Sequence, residues 1–330
     1  MKKNRIAIFA MAAVSVLSAS AGAVAFAKAN DAAMKGSSLE NDFIRLTVEQ
    51  DSAQPEYLRF SLDTNNGQTS TKDDDQKNLT YKNFYSGYTT LNINGEKYIY
   101  GEGEDTSEPS YDASTGSHTS SQRFGNVEVK QTLTFAEGFT KGYNDMLKIS
   151  YKVVDAGEND SIGVRILLDP MIEKDDALKL SVKDVNVDNE TAFNESVPDV
   201  WKADIKSDKS ITAYGKNNTA SPKPDSLTFA NWNSLYDEVW DTSFDNGKAI
   251  DDSGVAVKWE PVQAADKEFV SYYGIKNDAV KDKDGSGKNK VSAPKTSAST
   301  VAGIAALFAA SLLSAAGCVM IGRKEKKDNE

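Results

Sequence analysis

The 330 residues contain one cysteine, one histidine and eight prolines. The cysteine, Cys318, lies in an apolar run near the C-terminus, so the rest of the chain has no disulfide available and must be held by a core. The roughly 240 residues between the terminal segments are enough for that, since a domain of this size buries about 70% of its surface. One histidine and no second cysteine exclude the usual zinc sets. A Ser/His/Asp arrangement would have to use His118, which lies in the polar stretch 111–120, expected to be an exposed loop, and no nucleophile elbow accompanies it. Positive charge is also scarce: 38 Lys and Arg stand against 49 Asp and Glu, a net charge of −11. Without the two terminal segments the balance is 31 basic to 46 acidic residues. Such a surface repels phosphate backbones, so no nucleic-acid partner is expected.

The termini are where apolar sequence is concentrated. Lys2, Lys3 and Arg5 precede an apolar stretch from Ile6 to about Leu17, and Ala25-Phe26-Ala27 has the small-x-small form of a signal-peptidase site, so residues 1–27 are expected to be a signal peptide cleaved after Ala27. Residues 300–321 carry no charge, and as a helix they would span about 33 Å, enough for the hydrocarbon core. The basic cluster Arg323-Lys324-Glu325-Lys326-Lys327 places the 322–330 tail in the cytoplasm by the positive-inside rule, and all that precedes the span outside the cell. Residues 28–38 are a short polar leader. Residues 277–299, rich in Lys, Asp, Gly and Ser, are a solvated stalk.

Ala293-Pro294-Lys295-Thr296-Ser297, the apolar span and the basic tail together resemble the sorting signal of Gram-positive surface proteins. In that family a sortase-like transpeptidase cuts after the Thr of a Pro-x-Thr pentapeptide and joins it to the cell wall. The resemblance implies that Pro294 and Thr296 are the recognition and cleavage residues. Ala293 and Ser297 stand where the family has Leu and Gly. The alternative is a plain membrane anchor through residues 300–321.

Between leader and stalk, residues 39–276 are dominated by period-two alternation. Phe43–Val48, Tyr57–Leu62, Val127–Phe135, Leu147–Val153, Leu178–Val182, Val255–Trp259 and Phe269–Tyr273 alternate apolar and polar positions, as half-buried strands do. Ile162–Leu168 is more continuously apolar and fits a central strand. Asn94-Gly95 between two short runs predicts a tight hairpin. No long helical period interrupts the pattern. The fold expected is mostly β, a single large antiparallel β-sandwich of a dozen or more strands, two sheets deep. Gly163-Val164-Arg165-Ile166-Leu167-Leu168-Asp169, Phe229-Ala230-Asn231-Trp232 and Tyr272-Tyr273-Gly274 together resemble a domain of other bacterial surface proteins. The size is similar to the supersandwich of mutarotase-like domains. That family works with histidines and a carboxylate, so its activity does not carry over to a chain with one histidine.

Two clusters are candidate sites. Residues 227–241 hold Asn231, Trp232, Tyr236 and Trp240 among acids and amides; rings stack on the apolar faces of sugars while amides and carboxylates bind hydroxyls. Trp201 is a further candidate for the same region. The competing reading is that these tryptophans pack the core. Residues 167–176 end a strand in Asp169, Asp175 and Asp176, hard oxygen ligands of the kind Ca²⁺ takes, or else a solvated acidic loop. Asp251-Asp252 reads as turn charge. The function expected is a non-catalytic, cell-surface binding or adhesion protein with a glycan or host-surface ligand. The alternatives are a structural envelope or pilus-like component and a carbohydrate-active enzyme with a carboxylate pair.

Overall fold

The computed structural model describes residues 37–65, 77–81, 86–112, 114–205, 211–217, 222–276 and 295–296. The expected signal peptide with Ala27, most of the leader and the stalk, Pro294, the apolar span and the basic tail lie outside them. Among the described residues no helix is long and apolar enough to cross a membrane.

Among the described residues the strands form three sheets, and neighbouring strands pair antiparallel throughout. The largest has nine strands in the order β12 (Val185–Val187), β11 (Lys179–Val182), β14 (Val200–Asp204), β15 (Thr212–Lys216), β18 (Glu268–Ile275), β9 (Met146–Asp155), β8 (Val127–Ala136), β7 (Ser117–Phe124) and β6 (Glu104–Asp112). The second has six: β13 (Thr191–Phe193), β16 (Ser226–Asn231), β17 (Ser253–Gln263), β10 (Ser161–Leu168), β4 (Thr89–Ile93) and β5 (Glu96–Ile99). A third sheet pairs β19 (Lys295–Thr296), β1 (Ser37–Glu40), β2 (Ile44–Val48) and β3 (Phe60–Thr64), with Thr296 opposite Leu39.

Alternation builds the two large sheets as expected. Along β8 every second residue is buried, placing Val127, Val129, Leu133 and Phe135 on the inner face. The six-stranded sheet answers with Val164, Ile166, Leu227, Phe229, Val257 and Trp259, in the same apolar cluster. Trp259 meets Phe269 at 5.8 Å and Trp201 meets Phe229 at 5.8 Å, each pair joining one sheet to the other. β10 is central, between β17 and β4, and nearly all of it is buried. The reason is a second cover: its outer face packs Leu167 with Tyr88, Ala230, Leu235 and Ala256. Asn94 and Gly95 both take positive φ, 54° and 92°, the geometry of a type I′ hairpin turn.

Four features differ from the sequence expectation. The third sheet adds Leu39, Ile44, Leu46, Val48 and Leu62 to the same core, so the architecture is more than two sheets. The run expected to begin a strand at Tyr57 instead passes through a turn with Leu58 at φ 62°, and β3 starts at Phe60. A short helix, α1 (Trp232–Tyr236), follows β16, although no helical period marks the sequence there.

The fourth is the stretch around His118. It is not an exposed loop but the β6–β7 hairpin, and His118 is fully buried (0%), its ring edge-on to Tyr111 at 4.6 Å. β7 is polar in sequence yet mostly buried because its side chains serve one another and the neighbouring turn. The Tyr100 hydroxyl lies 3.0 Å from the Ser120 carbonyl, Gln122 Nε2 donates to Asp105 at 2.8 Å, and Gln122 Oε1 accepts from Gly101 N–H at 2.7 Å. Neither ring nitrogen of His118 has a hydrogen-bond partner among the described residues, and burial pushes its pKa down to about 4. A neutral buried imidazole of this kind is a packing residue.

Candidate functional site

The chain leaves β16 at Asn231 and returns at β17 through residues 232–252, which lie against the outer face of the six-stranded sheet. Asn231 anchors both ends of this excursion. Its Nδ2 donates to Glu190 Oε1 and to the Ala249 carbonyl, each at 2.9 Å, and its Oδ1 accepts from the N–H groups of Asp251 and Asp252 at 2.9 and 3.2 Å. All the hydrogen-bonding capacity of its carboxamide is therefore used within the fold, and Asn231 is a structural residue rather than a ligand contact. Glu190 is the other anchor. It is buried and accepts from Asn231 N–H, the Ser234 hydroxyl at 2.7 Å and Asp245 N–H at 2.9 Å, with Lys248 Nζ at 3.4 Å. Burial alone would raise its carboxyl pKa; the Asp245, Asn231 and Ser234 donors outweigh that and hold it down to about 2.

The candidate aromatics separate. Trp232 and Tyr236 lie on one side of α1 and stack at 4.2 Å with their planes 25° apart; both are half-buried. Tyr88 meets Tyr236 edge-on at 5.3 Å and donates its hydroxyl to the Tyr236 carbonyl at 2.7 Å, which fixes the stack on the sheet. Trp240 is 6% exposed, its ring over Gly163, with Lys258 Nζ 4.7 Å and Lys97 Nζ 5.6 Å from its centroid. A Cβ at Gly163 would stand 2.6 Å from that ring, so the glycine is what admits Trp240. Trp201 is 1% exposed, on β14 between the sheets, stacked on Tyr273 at 5.5 Å and fitted over Gly215. Trp201 and Trp240 are thus packing residues and offer no face to a surface ligand. Trp201 also does not share the region of Trp232.

The acidic candidates divide too. Asp169 follows β10, is 5% exposed and accepts from the Ser86 hydroxyl at 2.5 Å. Asp176 lies close to it in charge terms, and so does Asp252. The backbone explains why: the Asp176 carbonyl accepts from Ser253 N–H at 2.7 Å, and the Asp252 carbonyl accepts from Trp232 N–H at 2.8 Å. Asp175 turns away; its carboxylate accepts from Ala177 N–H in a local turn. Burial, then the Asp252 and Asp176 charges, push Asp169 up to about 7, with the Ser86 hydrogen bond as a partial offset. Burial, then Asp176 and Asp251, push Asp252 up to about 6. Burial, then the Asp169, Asp176 and Asp252 charges, raise the Tyr81 phenol. Among the described residues no three His, Cys, Asp or Glu side chains converge as a metal centre.

Two sequence clusters that lie about sixty residues apart therefore meet. The Trp232–Tyr236 stack begins at the backbone hydrogen bond to Asp252, and the charge of Asp252 is felt by Asp169 and Tyr81. Asp252, Ser86 and Tyr81 escaped sequence reasoning. Only Asp252 carried a signal, as the last acid before a strand, and turn charges look the same.

No protein-family model matches the chain, and no curated protein matches it. Among solved structures it is similar to heparan sulfate lyase HepC from Pedobacter heparinus, at 10% identity and a TM-score of 0.39 over 74% of this chain. It is also similar to a mutant of that lyase, at 11% identity and a TM-score of 0.38 over 71%. The chain spans about a third of the length of both, 35% and 33%. At that similarity no function follows.

Proposed function

We propose that this protein is a surface-anchored, non-catalytic binding module whose ligand is a glycan. The observation that carries the reading is the half-buried Trp232–Tyr236 stack, whose first residue is hydrogen-bonded through its backbone to half-buried Asp252. A half-exposed aromatic face near polar groups suits a sugar, which has an apolar face and a rim of hydroxyls. On a glycan array, Trp232→Ala is expected to lower binding at least tenfold while its melting temperature stays within a few degrees of the parent. Trp240→Ala, which empties a buried site, is expected to lower the melting temperature clearly. Equal binding by Trp232→Ala and the parent would defeat the reading.

The surface address rests on the sequence. Residues 1–27 direct export, and Thr296 is the residue that a sortase-like transpeptidase would join to the wall, with residues 300–321 as the transient membrane span. Mass spectrometry of wall fragments tests this. A wall-linked peptide ending at Thr296 is the expected result, and mature protein that retains the whole span would leave a membrane anchor instead.

One observation favours a second reading, a carbohydrate-active enzyme. A carboxylic acid held near 7 beside another carboxyl is what general-acid chemistry on a glycosidic bond needs, and Asp169 beside Asp252 has that character. Glycan turnover that disappears in Asp169→Asn would establish it over the binding reading.

A further inference from the structure

β12 and β13 are the end strands of the nine- and six-stranded sheets, and residues of both line a groove of about 1360 Å³. That exceeds the ~300–1,000 Å³ of sites for small ligands, so the space suits a chain of several units. Phe193 offers a half-buried ring in the groove, and Val185 is 69% exposed at its rim.

The wall chemistry narrows the occupant. Asn186, Asn189, Asn194 and Asn246 line the groove with exposed carboxamides, each a donor and an acceptor side by side, as a sugar hydroxyl is. Asn217, also in the lining, is buried. Its Oδ1 accepts from the Ser271 hydroxyl at 2.9 Å and its backbone N–H donates to the Asp199 carbonyl at 2.9 Å, but its Nδ2 has no hydrogen-bond partner among the described residues. A buried amide donor left without an acceptor is costly, and Asn217 is among the residues that line the groove. The lining holds five carboxylates against three lysines, an unfavourable field for a polyanion. A peptide adding as a strand would need a free sheet edge, and β12 and β13 offer three residues each.

We propose that this groove binds an oligosaccharide of several residues that carries no dense negative charge. The site is separate from the Trp232–Tyr236 stack and does not depend on it. Isothermal titration calorimetry of the full-length chain with cellohexaose, chitohexaose, their disaccharides and hexagalacturonate tests it. One of the neutral hexamers is expected to bind at least tenfold more tightly than its disaccharide and than hexagalacturonate. Asn186→Ala combined with Asn189→Ala, both exposed, is expected to weaken that binding at least tenfold, and so is Asn217→Leu. Trp232→Ala should leave it unchanged. Should Asn217→Leu fail to fold, the exposed pair decides. Failure of both neutral hexamers to bind, preference for hexagalacturonate, or binding that survives the exposed pair overturns the proposal. Loss in Trp232→Ala with no loss in the groove variants overturns it while leaving the stack reading intact.

Discussion

Asp169→Asn is expected to stabilise the protein by about 4 kcal/mol above pH 7 and by almost nothing at pH 4. The carboxyl titrates near 7 in the fold against 3.8 for an ordinary Asp, about three pH units, and each unit is worth about 1.4 kcal/mol. Because the folded pKa is the higher one, the folded protein keeps a proton that the unfolded chain has released. Stability from this group is full below about pH 4 and is lost as pH rises through about 7. Asparagine keeps an acceptor for the Ser86 hydroxyl and removes the charge. His118 tilts the balance the other way. Its folded pKa, about 4, lies below the 6.5 of a free imidazole, so stability is lost as pH falls between those values, by about 3 kcal/mol in all. From these two groups the parent has opposing slopes that nearly cancel between pH 4 and 6.5. In urea unfolding, the stability of Asp169→Asn relative to the parent should therefore rise with pH across that range, and that of His118→Phe should fall. Midpoints that run parallel to the parent for both variants would show that neither group titrates as its burial dictates.

Glu190→Ala is expected to cost about 3–5 kcal/mol, the range for removing one member of a buried charged network and stranding its partners. The carboxylate gathers the start of α1, the Asp245 turn and the Asn231 carboxamide, so its loss leaves several donors unsatisfied at once. Hydrogen exchange should accelerate at the amides of Asn231 and Asp245. In the parent, the depressed pKa adds stability that is present above about 4.5 and is lost as pH falls toward 2. Exchange and unfolding within 1 kcal/mol of the parent would mean that residues 232–252 are held by packing alone. The Trp232–Tyr236 stack sits on this connection, so the same variant is expected to weaken glycan binding through position rather than contact.

The strands were legible because burial of one sheet face writes a period of two into consecutive residues, as along Val127–Ala136 and Met146–Asp155. Ile162–Leu168 was legible as a central strand because a strand covered on both faces loses its polar positions. Arg165 inside it could not be read, since its burial depends on α1, where its Nη2 donates to the Leu235 carbonyl at 2.7 Å. β7 was missed for the converse reason. Ser117–Phe124 is polar, and its burial comes from β6, β8 and a network of its own side chains.

Sequence by itself determined the β class, the antiparallel hairpins and the acidic charge balance. These follow from local periodicity, turn residues and composition, which need no partner to be read. Tertiary structure alone decided which aromatics face solvent. Trp201 and Trp240 look no different from Trp232 in sequence, yet Gly215 and Gly163 make room to bury the first two, while α1 leaves Trp232 half-buried on Tyr236. It alone brought Asp252 to Asp169, across 83 residues, because the exit from β10 and the entry to β17 are neighbours in the sheet. A side chain's exposure and charge environment are properties of what packs on it, and in an antiparallel sandwich most of that comes from strands distant in the chain.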